Sequence, residues 1–309
     1  MGLMNGTRVL RLVKVTGLVG VVGVAATGCT SDQVLGFGWP QGVTPQADAM
    51  RQLWTWAVIA ALAVGVLVWG LIFWSIAFHR KKGEELPRQF QYNVPLEIIY
   101  SVIPFVMVVV LFYFTAVTQN YVMAKPAKRP DVAVNVTAFQ WNWDFSYPDS
   151  RTPDGQPVHT VGSTSEVPLL VLPTNSSIEY RLRSTDVIHS FFVPVFNFKR
   201  DVFPDPEKNN QDSSFQNTID REGSFVGRCA ELCGTYHSMM NFEVRALSPD
   251  KFARYMQLRT TINPQTGHPY TASEALSTMN CGPLCTPHAV TTEPFDSNAA
   301  GKASTIGNS

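Results

Sequence analysis

The segment Cys229-Ala230-Glu231-Leu232-Cys233-Gly234-Thr235-Tyr236-His237-Ser238-Met239-Met240 gathers two thiols, an imidazole and a thioether on one short loop. Soft sulfur donors combined with imidazole nitrogen select copper or zinc over hard cations. A mononuclear blue-copper site uses one cysteine, two histidines and a weak axial methionine, whereas this loop carries an extra thiolate. Two cysteines separated only by Ala230, Glu231 and Leu232 can both bridge a pair of copper ions, each of which then needs one imidazole and one weak end ligand. His237 and Met240 supply two of those ligands, His189 in Asp186-Val187-Ile188-His189-Ser190 supplies another, and the main-chain carbonyl of Glu231 completes the set. One electron shared over two thiolate-bridged metals in a rigid frame changes the geometry little, which suits electron transfer and not bond-making. Two other chemistries stay open. A Cys2His2 zinc site on Cys229, Cys233, His189 and His237 would leave Met240 and the Glu231 carbonyl without a purpose. A Cys229 to Cys233 disulfide would explain neither histidine.

The remaining cysteines need separate explanations. Cys281 and Cys285, followed by His288, repeat the copper spacing, but no methionine or second histidine accompanies them. A disulfide closing that small loop on an oxidising side of a membrane is the reading they support. Arg8, Arg11 and Lys14, then an apolar run from Val15 to Ala26, have the layout of an export signal. Ala26-Thr27-Gly28-Cys29 resembles a bacterial lipobox, so residues 1–28 read as a lipoprotein signal and Cys29 as the acylated residue opening an exported segment over 29–52.

The elements that must position these residues come in two parts. Leu53 to Phe78 and Ile98 to Asn120 are uncharged for long enough to cross a hydrocarbon layer of about 30 Å, with Trp54, Trp56 and Trp74 as interface anchors. They predict a helical hairpin over 53–120, with helices at about 53–78 and 97–119. His79-Arg80-Lys81-Lys82 and Arg88 give the connecting loop the basic excess of the cytoplasmic side, so both termini face outward. Lys125-Pro126-Ala127-Lys128-Arg129-Pro130 cannot continue a helix. Period-two alternation from Asp131 to Phe145, and short strands at Val167 to Leu172, Ser177 to Leu182 and Phe242 to Leu247, then predict an all-β sandwich or barrel over 131–258. Pro249 to Leu258 reads as a short closing helix, and 259–309 as a C-terminal extension with no assignable structure beyond Thr286. Across 309 residues Lys+Arg and Asp+Glu balance at 24 each, so nothing in the charge points to a nucleic acid partner.

The cysteine loop, the Asp186-Val187-Ile188-His189-Ser190 block and Gln140-Trp141-Asn142-Trp143 together resemble cytochrome c oxidase subunit II. The resemblance runs from about Trp54 to Leu258. The lipobox, Gly38-Trp39-Pro40 and Phe90-Gln91-Tyr92-Asn93-Val94-Pro95-Leu96-Glu97 are similar to actinobacterial members. It implies a membrane-anchored α+β chain, a two-transmembrane-helix hairpin carrying a cupredoxin-like Greek-key β-barrel. It also implies a binuclear copper A centre on His189, Cys229, the Glu231 carbonyl, Cys233, His237 and Met240. By the same resemblance the Glu231 side chain reaches a magnesium shared with subunit I, and Glu97 stands at the mouth of a proton pathway. The resemblance further implies that Trp141 is where electrons arrive from a c-type cytochrome and that Asp186 helps dock a basic donor, while Trp143, two residues along the same strand face, reads as a packing residue.

Oxygen reduction, proton pumping and haem then belong to partner subunits, with subunits I and III as neighbours. The implied donor is a membrane-tethered c-type haem protein in a supercomplex with a cytochrome bc complex. The implied location is the plasma membrane, with the copper domain outside. Asn197-Phe198-Lys199-Arg200 departs from the Gly-Val-Lys-Met of many members. No Cys-x-x-Cys-His is present for covalent haem, which excludes a fused cytochrome. The cysteines, His237 and Met240 argue against the copper-free quinol-oxidase version. Six histidines are too few for the second cluster of a nitrous oxide reductase.

Overall fold

The computed structural model describes residues 34–81, 83–84, 89–208 and 210–293. The export signal, Cys29, Lys82 and Arg88 lie outside them. Helix α1 spans Pro45–Phe78, opened by Thr44, whose hydroxyl accepts the Ala47 N–H at 3.0 Å, and by proline in the first turn. It begins eight residues ahead of Leu53, the start read from hydropathy. That extra stretch carries Asp48 and Arg51 and leads from the apolar run to the β domain. Helix α2 spans Val94–Met123. Asn93 caps it by accepting the Leu96 N–H, and the Glu97 carboxylate reaches back to the Asn93 N–H at 3.0 Å. Both helices are long and apolar enough to cross a membrane, and none of their most apolar stretch is buried within the chain. Such surface is stable only against lipid or other apolar helices.

After Ala124 the described residues form ten strands: β1 Val132–Phe139, β2 Asn142–Arg151, β3 Pro157–Val161, β4 Leu169–Pro173, β5 Ser177–Ser184, β6 His189–Val193, β7 Phe198–Val202, β8 Ser214–Thr218, β9 Gly223–Cys229 and β10 Asn241–Leu247. They form two five-stranded sheets, ordered β3-β2-β1-β5-β8 and β4-β10-β9-β6-β7. The β1–β5 and β4–β10 pairs are parallel and the others antiparallel. The alternation read through Asp131 to Phe145 is two strands folded back on each other, with Phe139 facing Asn142. Gln140 and Trp141 make the turn, held there by bonds to distant loops.

Inward residues of both sheets close on an aromatic core. Trp143, Phe145, Tyr180, Phe191 and Phe242 are all buried, with Trp143 edge-on to Phe242 at 5.2 Å and Phe191 stacked on Phe242 at 4.8 Å. Gly227 on β9 admits this cluster, since a Cβ there would lie 2.1 Å from the Phe242 ring.

The outer face of the second sheet is covered as well. Helices α3 Pro249–Arg259 and α4 Ala272–Met279 bury Tyr255, Leu258, Ala275 and Leu276 against Leu169, Val171 and Leu247. Helix α4 is opened by a reciprocal Thr271–Glu274 capping box. Cys281 and Cys285 are joined by a disulfide next to this layer. The following strap encloses an ion pair between Glu243 and Arg245 on β10, both fully buried. Arg245 donates to the carbonyls of Leu284, Thr286 and His288. The second Glu243 oxygen accepts the N–H groups of Val290 and Thr291 and the Thr291 hydroxyl. The polar stretch beyond Thr286 is thus ordered as far as Thr291 by charges on a strand.

The hairpin is fastened to the barrel at both helices. Val43, fully buried, donates to Val195 at 3.1 Å and accepts from Asp220 at 2.9 Å through its backbone, and Asn197 reaches the Ala47 carbonyl. Beyond α2, Lys125 pairs with Asp212, and Arg200 contacts both Asp212 and the Met123 sulfur.

Candidate metal centre

Three loops at one end of the barrel converge. His189 is the first residue of β6, Cys229 the last of β9, and Cys233, His237 and Met240 occupy the connection from β9 to β10. The two sulfurs stand 3.8 Å apart. His189 Nδ1 lies 3.9 Å from Cys229 Sγ, and His237 Nδ1 lies 3.6 Å from Cys233 Sγ. Met240 Sδ is 3.9 Å from Cys233 Sγ, and the Glu231 carbonyl is 3.4 Å from Cys229 Sγ. All six donors named from the sequence are therefore gathered around the sulfur pair. His189 is fully buried and Met240 nearly so, while His237 is half-buried.

Local backbone geometry fixes this ring of donors. The Cys229 N–H donates to the Met240 carbonyl at 3.1 Å, which closes the loop at its base. The buried Trp143 indole donates to the same carbonyl. His237 opens a short 3-10 turn to Met239, capped by the Met240 N–H on the His237 carbonyl. Trp141 and Gln140 both donate to the Cys233 carbonyl, at 3.1 and 2.8 Å. Gly234, at φ +120°, is the residue that lets the chain pass under the Trp141 ring.

Sequence reasoning gave Asp186 a docking role, and the structure gives its carboxylate inward partners. Oδ1 lies 2.8 Å from His189 Nε2 and accepts the Val187 N–H, while Oδ2 accepts the Gln140 N–H. This bond turns His189 Nδ1 toward the sulfurs and fixes the ring, as a carboxylate behind a metal-binding histidine does. Burial disfavours the Asp186 carboxylate, but hydrogen bonds from His189 and the Gln140 and Val187 backbone outweigh it and hold the carboxyl below its usual range. Burial likewise disfavours protonated His189, yet bonds to Cys229 and Asp186 raise it above the ordinary imidazole value. The aspartate three residues before the histidine was the available signal.

The thiols repel each other's ionisation. Burial works against a Cys229 thiolate, and hydrogen bonds from His189 and the backbone overcome it, bringing this thiol down to about 7. Burial and then the Cys229 charge push Cys233 up to about 12. Two thiolates side by side thus call for positive charge between them. Their 3.8 Å separation is far beyond a disulfide bond, while the other CxxxC pair, Cys281 and Cys285, is bonded. The donor set fits a soft cation.

The other residues singled out by the sequence lie apart from the ring or at its rim. Trp141 is at the rim, edge to face with Tyr236. The Glu231 carboxylate points to Lys199 Nζ at 3.8 Å. Glu97 is in the first turn of α2.

A family model described as the periplasmic domain of cytochrome c oxidase subunit II matches residues 132–247, and one described as its transmembrane domain matches 32–116. A probable cytochrome c oxidase subunit 2 of Nocardia farcinica is 47% identical across 95% of this chain and 91% of its own length. The chain belongs to the cytochrome c oxidase subunit II family. Subunit 2 of Mycobacterium tuberculosis is 44% identical over 94% of this chain and 90% of its own. That of Corynebacterium glutamicum is 41% identical over 89% and 88%. As a subunit II the chain is a component of an oxidoreductase complex, a membrane protein with a C-terminal cupredoxin-like domain. Ligand atoms of His189, Cys229 and Cys233 all within 4.8 Å of one another fit the copper chemistry of this family.

Proposed function

We propose that His189, Cys229, the Glu231 carbonyl, Cys233, His237 and Met240 hold the binuclear copper A centre of this subunit II, which takes electrons from cytochrome c and delivers them to haem in subunit I. When bound, the copper pair supplies a one-electron carrier that is nearly constant in shape. The chain's own residues supply its rigidity. Asp186 fixes the His189 ring, the Trp143 indole and Cys229 N–H fix the Met240 carbonyl, and two more donors fix Cys233. The observation that carries the reading is the two-ended ring, with one imidazole against each sulfur. A single zinc leaves the buried Met240 thioether beside Cys233 unexplained.

In the same reading Trp141 receives the electron, because its indole is bonded directly to the Cys233 carbonyl at the rim of the site. The Glu231 side chain, half-exposed, exchanges Lys199 for a magnesium at the boundary with subunit I. Glu97 lies at the proton-pathway mouth, Cys29 carries the lipid, and the barrel is outside the plasma membrane. Subunits I and III and a membrane-tethered c-type cytochrome, joined to a cytochrome bc complex, complete the assembly. Domain limits follow as 1–28 signal, 29–52 exported segment, 53–120 hairpin, 131–258 copper domain and 259–309 extension.

The test is copper stoichiometry with electron spin resonance on the copper-loaded chain. Two coppers per chain and a mixed-valence signal shared by both are expected, and Cys233→Ser should abolish that signal. One copper, or a single-copper signal, would reject the binuclear reading.

A further inference from the structure

The Trp141 indole is pinned from three directions. Its N–H donates to the Cys233 carbonyl at 3.1 Å. Gly234 lies so close beneath that a Cβ there would sit 3.1 Å from Cζ2 and Nε1 of the ring. Tyr236 meets it edge to face, with centroids 4.9 Å apart and planes at 88°. Tyr236 is also the residue directly before His237 and caps the 3-10 turn that carries that imidazole. Trp141 packs against the buried aromatic core around Trp143 without being enclosed by it, and Tyr236 lies outside that core. A cleft of about 250 Å³ opens beside the pair, lined also by Asn142, Met239 and Glu166, so a partner can reach both rings.

We infer that Tyr236 is a positioning residue for electron uptake, its ring keeping the Trp141 indole on the Cys233 carbonyl. The inference rests on Trp141 being where electrons arrive. The donor's reduced haem would give up one electron and the copper pair, when held by this donor set, would take it up, with no bond made or broken. The hydrogen bond from indole to carbonyl links an aromatic ring at the rim directly to a sulfur ligand, and rotation of the ring about its side-chain bonds would break it. Edge-to-face packing opposes that rotation because the positive edge of one ring meets the negative face of the other. Its loss is expected to lower the ratio of bonded to released indole by about two- to tenfold. Phenylalanine keeps the edge and leucine does not.

The experiment compares Tyr236→Leu, Tyr236→Phe and Trp141→Phe in the assembled oxidase, rapidly mixed with a reduced soluble c-type cytochrome. Tyr236→Leu is expected to cut the limiting rate of electron uptake by up to about tenfold, with the half-saturating cytochrome concentration and the visible copper bands unchanged. The resonance Raman signature of the Trp141 indole N–H, isolated as the difference from Trp141→Phe, should shift toward a weaker hydrogen bond. Tyr236→Phe should restore both. A wild-type rate in Tyr236→Leu beside a slow Trp141→Phe overturns the inference alone, as does a defect that phenylalanine does not restore or that comes with altered copper bands. Unchanged uptake in Trp141→Phe would remove Trp141, and Tyr236 with it, while leaving the copper assignment intact.

Discussion

Replacing Glu243 by glutamine should be among the most damaging single changes outside the metal loop, although the two side chains have the same shape. Glu243 and Arg245 are both fully buried, and among the described residues that carboxylate is the one anion paired with the guanidinium, whose other partners are the carbonyls of Leu284, Thr286 and His288. Removing one partner of such a pair leaves an uncompensated buried charge, at a cost of about 3–5 kcal/mol. The amide must also turn its NH2 toward either Arg245 or the N–H groups of Val290 and Thr291, so one set of donors loses its acceptor. For a domain of this size the melting temperature should fall by roughly 2–4 °C per kcal/mol, hence by about 6–20 °C. The double variant Glu243→Leu/Arg245→Met removes both charges and should cost less than the sum of the single changes. In the double variant the strap loses its polar anchors while Leu284 and Ala289 stay packed on the outer cluster, so the 286–291 stretch should become more open to protease while the barrel stays folded. The assay is thermal unfolding of the purified chain in detergent, with limited proteolysis alongside. A Glu243→Gln shift under about 2 °C, or strict additivity in the double variant, would mean that the two charges do not depend on each other for their burial.

Copper uptake should depend on pH in two regimes, because both sulfurs must be unprotonated to bind metal. Between the Cys229 value of about 7 and the Cys233 value of about 12 one proton is displaced, and affinity should rise about tenfold per pH unit. Below about 7 a second thiol proton adds to the slope, and a chelator competition from pH 6 to 9 that shows no break would contradict this. Cys281→Ser opens a disulfide loop of sequence separation 4 and should cost about 2 kcal/mol in a melting experiment, with visible copper bands unchanged. Gly234→Ala should cost about 1–3 kcal/mol, for its φ of +120°, and push the Trp141 ring off the Cys233 carbonyl, seen as faster hydrogen exchange of that indole.

What was legible in the sequence was whatever a single residue type or period encodes. The hairpin follows from two uncharged runs, and the ligand ring from sulfur and imidazole spacing around Cys229 and Cys233. Trp143 reads as core because it alternates with Phe145 on one strand face. What stayed hidden depends on a second layer that periodicity does not report. Along β10 the alternation of Phe242, Val244 and Ala246 with Glu243 and Arg245 reads as one buried and one wet face, yet α3, α4 and the strap bury both. Thr271 followed by Glu274 was a helix-start signal for α4 that the polar surroundings masked. Asp186 was read as a docking acid because its distance to His189 is a matter of the loop's turn, which brings Oδ1 to the imidazole. The early start of α1 escaped hydropathy for a related reason: Thr44 and Pro45 set it, ahead of the apolar run.

The attachment of the helices to the barrel has a mechanical consequence. Val43 is threaded between Val195 and Asp220 on one side, and Lys125 and Arg200 grip Asp212 on the other, so hairpin and barrel share two separate rivets. Two separated attachments leave at most one axis of rotation, the line that joins them. About every other axis a tilt of the helices is passed on to the barrel and to the donor ring at its end. An approaching electron donor therefore meets a donor ring that moves with the helices, not one that swings freely on a single joint.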